Sequence, residues 1–351
     1  MPIIIKYLLL LLMLLFTTNI QAQLTNSYYH DAFSQIESML SGKDSIDFKK
    51  AVFLTENAYF ENQLNQEDFD DYIRFYTSIC QNIIASGNIV YPEQDVENAR
   101  AQCAAFVFMT DSIPVQIGQD IVIHTPFEYN FDDYAGQKDW SNMFVSKLMV
   151  TKKGNCHSLP YLYKMIMDEM KQKSYLALAP NHIYIKTQNK RVGWYNIELT
   201  CGDFPTDAWL MASGYIHIDA IRNGIYMKPL TDKESVCLCL ADLAQGFQAK
   251  FGIEDGSFIL KCCDTALAHF PNYINALLLK AETLTALHKQ TASNPKESEL
   301  LLSQMNKIYT QIHDSGYRKM PKEMYLNWLK TLSIQEVNYR MKSLLINKNE
   351  M

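Results

Sequence analysis

Three residues carry the most chemical potential: Cys156, His182 and Glu198. A thiolate is a nucleophile, an imidazole can take and return its proton, and a carboxylate can hold that imidazole in one tautomer. Cys156 lies in the segment Gly154-Asn155-Cys156-His157-Ser158-Leu159-Pro160. Beyond it, Leu159, Leu162, Ile166 and Met170 recur at three- and four-residue steps, so the spacing predicts a core-facing helix over about 157–171. Pro160 suits the first turn, whose N–H groups have no internal partner. The thiol is therefore expected at a helix N-terminus. With an imidazolium nearby, that position lowers a thiol pKa from about 8.5 toward 3.5–7.5. Gly154 is expected to leave the backbone open to an approaching substrate.

The base needs a rigid platform. Pro180-Asn181-His182 runs into Ile183-Tyr184-Ile185, so His182 should open a strand. After a polar turn, Trp194-Tyr195-Asn196-Ile197-Glu198-Leu199 reads as the return strand. His182 shares a face with Asn196 and Glu198 if paired positions sum to an even number, as a three-residue loop around Asn189 or Lys190 would allow. Glu198, or alternatively Asn196, could then orient the imidazole. An oxyanion site would use the Cys156 backbone N–H and an upstream donor, for which Trp140 and Asn142 are the candidates. Trp194 and Tyr184 are candidate cleft residues, with core packing as their default role. His157 and Ser158 read as helix-start residues, and His124 and His217 have no identifiable partner. Taken singly, a cysteine is a small buried hydrophobe and a strand glutamate is a solvated charge. The combination, not any one residue, points to acyl transfer.

In order and spacing these residues resemble the transglutaminase-like superfamily, most specifically over residues 148–206. The resemblance implies an α+β, papain-like cysteine-protease fold with Cys156 as nucleophile, His182 as general base and Glu198 as the acid. It implies a peptide or protein substrate, an acyl-enzyme intermediate released to water or an amine, and no cofactor. The sequence departs from the family pattern in having Glu198 rather than Asp, and Ile183 where an aromatic usually follows the His. The alternative is a binding or scaffold protein that keeps the fold without turnover.

The elements around this segment are helical. Residues 1–22 read as a signal peptide, with Lys6 ahead of the apolar run Tyr7–Phe16 and a small residue at Ala22. An uncleaved anchor starting at Ile3 is the alternative. The expected location is periplasmic or secreted, with no stable membrane span after cleavage. Residues 23–110 form an N-terminal helical region, with helices over Phe48–Tyr59, from Asn65 to about Ile83, and from Pro92 through Phe108. Residues 111–230 are the α+β core. Residues 231–351 are helical, over about 234–250, 256–269, 273–288, 297–313 and 322–343. Thr231-Asp232-Lys233-Glu234 has capping-box spacing. Gly246 to Leu284 resembles a tetratricopeptide repeat, which implies a surface for a protein partner.

Composition excludes other classes. The chain has 351 residues and a net charge of −6, with no Lys/Arg stripe, so nucleic acid is not an expected partner. Neither the Cys237/Cys239 nor the Cys262/Cys263 pair has a second ligand pair at zinc-finger spacing, so no metal site is expected.

Overall fold

The computed structural model describes residues 26–291, 294–321, 323–328 and 330–331. The expected signal peptide and the far end of the 322–343 helix lie outside the described residues. What is described is α+β, with helices predominating around small sheets.

Helix α1 (26–40) puts Tyr29 edge-on against Phe247, Phe251 and Phe258 of the C-terminal part of the chain. Helix α2 (Phe48–Tyr59) has the expected limits. Helix α3 (Gln66–Ala85) starts where Asn65 accepts hydrogen bonds from the Glu67 and Asp68 N–H groups, as its sequence predicts. Helix α4 (Val96–Thr110) opens four residues later than Pro92, because Tyr91 and Lys190 both bond to Asp95 and hold the preceding segment as a loop.

A first hairpin pairs β1 (Ile113–Ile117) with β2 (Asp120–His124). Next, β3 (Glu128–Tyr129) runs parallel to β4 (Lys153–Gly154), with α5 (Val145–Thr151) between them in the chain. Helix α6 (Ser158–Glu169) follows, and packs on the antiparallel sheet β5 (Tyr175–Ala179), β6 (His182–Asn189) and β7 (Gly193–Ile197). The β6–β7 loop is the three residues between Asn189 and Gly193. It is centred on Arg191, one or two positions later than expected, because Asn189 caps it through the Arg191 and Val192 N–H groups and Gly193 takes a φ of +74°. The parity holds, so the proposed face is shared. Ladder pairing ends at Ile197, and Glu198 pairs instead with Asp203.

Short helices α7 (Asp207–Ser213) and α8 (Ile218–Arg222) lead to α9 (Asp232–Phe251), where the Thr231–Glu234 capping box forms. Then α10 (Ser257–His269), α11 (Ile274–Gln290) and α12 (Pro295–Asp314) pack each on its predecessor. Helix α9 also packs on α2, and Thr55 donates to the Cys239 carbonyl at 3.2 Å. The hydrophobic interior is continuous from Tyr29 to Trp328. Among the described residues no helix is long and apolar enough to cross a membrane.

Candidate active site

Cys156 stands just ahead of α6. The buried Asn155 side chain accepts from the His157 and Ser158 N–H groups at 3.0 and 3.1 Å, which turns the chain into the helix and leaves the thiol at its N-terminal end. Gly154 has a different role from the one expected. A Cβ there would lie 2.5 Å from Ser158 Oγ and 2.8 Å from a Leu148 methyl, so the glycine serves packing, not substrate access.

His182 begins β6 directly after the two-residue turn Pro180-Asn181, with Asn181 at a φ of +55°. Its Nε2 meets Glu198 Oε2 at 2.5 Å, and both side chains are almost wholly buried. Thr200 N–H donates to the other carboxylate oxygen at 2.8 Å. His182 Nδ1 is buried with no hydrogen-bond partner among the described residues, and is left for the thiol. The uncharged thiol points at the Asn181 carbonyl, 3.7 Å away.

The electrostatics follow from this geometry. Burial opposes the imidazolium, but the Glu198 carboxylate and the Cys156 sulfur outweigh it and lift His182 to about 10. Burial likewise works against charge on Glu198 and Cys156. The adjacent imidazolium outweighs it in both cases, holding carboxyl and thiol below their ordinary values. The contrast with other cysteines is instructive. Burial, with no imidazolium in contact, pushes Cys80, Cys237 and Cys263 up to about 12, even though Lys233 and Lys280 act weakly against it at the last two. Position next to His182, not cysteine chemistry as such, turns the shift at Cys156 downward.

Tyr129 joins this centre unannounced by the sequence. The two-residue pairing of β3 with β4 aligns Tyr129 with Gly154, and the buried phenol donates to the Cys156 sulfur. Burial, then the neighbouring thiolate, keeps the phenol protonated. Tyr129→Phe is expected to raise the thiol pKa by about one unit, since a hydrogen bond to a charged group contributes about 1.5 kcal/mol. The pH dependence of iodoacetamide alkylation reads this directly; an unmoved inflection would deny the phenol that role.

Cys156 and His182 open onto a cavity of about 440 Å³, within the range of small-ligand sites. One wall is Tyr134, Trp140 and Asn181; the other comes from α9 and α11 through Asp242, Gln245, Asn275 and Glu282. The helical segment 323–328 brings Tyr325 to the cavity rim and sets Trp328 edge-on to the His182 ring at 4.8 Å. An aromatic neighbour for the imidazole is thus present, but it comes from far along the chain. His157 is more than a helix-start residue. It bridges the Met143 carbonyl and the Asp242 carboxylate at 3.0 and 2.9 Å, tying α6 to α9, and Asp242 outweighs burial to raise its pKa. A larger groove of about 540 Å³, lined by residues such as Asp264, Lys280 and Ile308, lies between α10, α11 and α12 and contains no thiol or imidazole.

Other candidates fall elsewhere. Asn196 is not the orienting residue: it pairs across the sheet with Lys186, and its amide bonds Pro205 O and Asp207, one turn of the pleat beyond the site. Asn142 donates to Asp133 at 2.7 Å and does not line the cavity. Trp194, 46% exposed, lies tilted against Tyr175 toward the loop end of the hairpin. Tyr184 is core, its ring parallel to that of His182. Trp140 does line the cavity, and its indole N–H is buried without a partner. His124 bonds the Phe108 carbonyl and Lys152, and His217 caps α8; neither lines the cavity. Among the described residues no group of three or more His, Cys, Asp or Glu side chains is placed to hold a metal.

No protein-family model matches the chain, and no curated protein matches it. Among solved structures it is matched by a crystal structure of menin, described as revealing the binding site for the Mixed Lineage Leukemia (MLL) protein. The identity is 11% and the TM-score 0.34, over 81% of this chain and 70% of that one. So loose a likeness carries no argument about this chain.

Proposed function

We propose that this chain is a transglutaminase-like cysteine acyltransferase or amide hydrolase acting on a peptide substrate, with Cys156, His182 and Glu198 as its catalytic residues. The observation that carries the reading is the 2.5 Å contact between buried His182 and Glu198, with the second imidazole nitrogen left for a thiol held below its ordinary pKa. The Cys156 thiolate attacks the carbonyl carbon, forming the C–S bond of a tetrahedral intermediate. As the C–N bond breaks, the His182 imidazolium gives its proton to the departing amine, leaving a thioester. Water or an amine then attacks the thioester, loses its proton to His182, and the C–S bond breaks to restore thiolate and imidazolium. The Cys156 N–H is the proposed oxyanion donor; the Trp140 indole N–H is buried facing Gly246 of α9. No step calls for a cofactor. Export through residues 1–22, and a protein partner on the tetratricopeptide-like helices α9–α12, belong to the same proposal; the groove between α10, α11 and α12 is the surface such a partner would use.

An activated ester tests the chemistry without knowledge of the natural substrate. Incubation with p-nitrophenyl acetate should place one acetyl group on Cys156, seen by intact mass and removed by hydroxylamine. Failure to acylate Cys156 while the protein remains folded would overturn the proposal.

A further inference from the structure

Beyond the Cys156–His182–Glu198 cluster and the His157–Asp242 pair, Glu282 is the one further charged group, among the described residues, on the lining of the cavity in front of Cys156. Among the described residues this lining includes two carboxylates, Asp242 and Glu282, and no lysine or arginine. Asp242 is already engaged, accepting from His157 Nε2 and from the Tyr161 hydroxyl, each at 2.9 Å. Glu282 is different. It lies on the exposed side of α11, and none of the salt bridges or hydrogen bonds among the described residues engages its carboxylate. The cation nearest to it in sequence, Lys280, is committed to Asp264 at 2.5 Å. Tyr134, Trp140 and Tyr325, also on the lining, add aromatic surface that favours a cation over an anion. A thiolate balanced by His182 adds no positive charge to this space. An anionic substrate would meet repulsion here, whereas a cationic one would find in Glu282 a carboxylate not committed, among the described residues, to another cation.

We infer that the acyl donor carries a positively charged group near the scissile amide, and that Glu282 is the specificity-determining residue that receives it. The inference rests on the proposed acyl-transfer chemistry and deepens it by naming the substrate's charge.

The test uses two methanethiosulfonate reagents of similar size, one ending in trimethylammonium and one in sulfonate. The Cys156 thiolate attacks the sulfenyl sulfur, forms a mixed disulfide and expels methanesulfinate, so each rate reports how readily that charge enters the cavity. Each rate is divided by the same reagent's rate with a small free thiol, and Cys156→Ala supplies the background. The cationic reagent should be favoured by at least about fivefold at low salt. The preference should fall toward unity in Glu282→Gln, and also as ionic strength is raised to 1 M, where the screening length is about 3 Å. Glu299→Gln, on exposed α12 and outside the cavity lining, should keep it. Equal normalised rates in the unaltered protein, or an unchanged ratio in Glu282→Gln, would overturn the assignment of Glu282 while leaving the acyl-transfer proposal standing. A thiol inert to both reagents would overturn both.

Discussion

His182→Gln should slow alkylation of Cys156 at pH 7 by up to about 100-fold, because a thiol of pKa near 9 is only about one per cent ionised there. Two effects act together. The imidazolium that holds the thiolate is removed, and burial, the largest influence on this sulfur, is then unopposed by the charge next in importance. The pH profile separates this from simple loss of access. In the unaltered protein the inflection should lie below that of an ordinary thiol, since the imidazolium depresses the thiol pKa. In the variant the rate should climb about tenfold per unit between pH 7 and 9. Cys156→Ala should remove most of the labelling, since burial raises the thiols of Cys80, Cys103, Cys237, Cys239, Cys262 and Cys263 whereas that of Cys156 is lowered. Superimposable profiles for His182→Gln and the parent protein would show that the imidazole does not govern the thiol. Turnover, which needs thiolate and imidazolium at once, should span the interval between the depressed thiol pKa and about 10.

Glu198→Ala should cost about 3–5 kcal/mol of folding stability, the range for breaking a buried ion pair by removing one member. The wild-type imidazolium sits in a site with almost no water, and without the carboxylate it must either discharge or remain uncompensated. The sign of the pH dependence is fixed by the shifts. His182 is raised when folded, so its contribution is complete below an unfolded pKa of about 6.5 and is lost as pH climbs through about 10. Glu198 is lowered when folded, so its contribution is complete above an unfolded pKa of about 4.3 and is lost as pH drops through the depressed value. The penalty of the variant should therefore be greatest between about pH 4.3 and 6.5 and should shrink toward pH 10. Urea unfolding at pH 6 and pH 10 measures it. A penalty that is the same at both would mean that the pair is not ionic.

The places of Cys156, its helix, the strand-borne imidazole and Glu198 could be read from the sequence because each depends on local periodicity. Leu159, Leu162 and Ile166 are buried on one helix, and the alternation along β6 and β7 sets His182 and Glu198 on one face. What could not be read was non-local or too short to have a period. Tyr129 belongs to a strand of two residues, and Asp242 and Trp328 reach the site from helices outside the α+β segment. The mistaken choice of Asn196 as an alternative has the same origin. Alternation fixes the face of a residue but not its position along the strand, and a loop centred on Arg191 carries Asn196 away from the imidazole.

The walls of the cavity have a consequence for biosynthesis. A ribosome that has released the chain through Glu198 has delivered sulfur, imidazole and carboxylate, but not Asp242, Glu282, Tyr325 or Trp328. Until the last helices arrive, the reactive thiol has no far wall to select what approaches it. Translation order thus makes selectivity the final property that the growing polypeptide acquires.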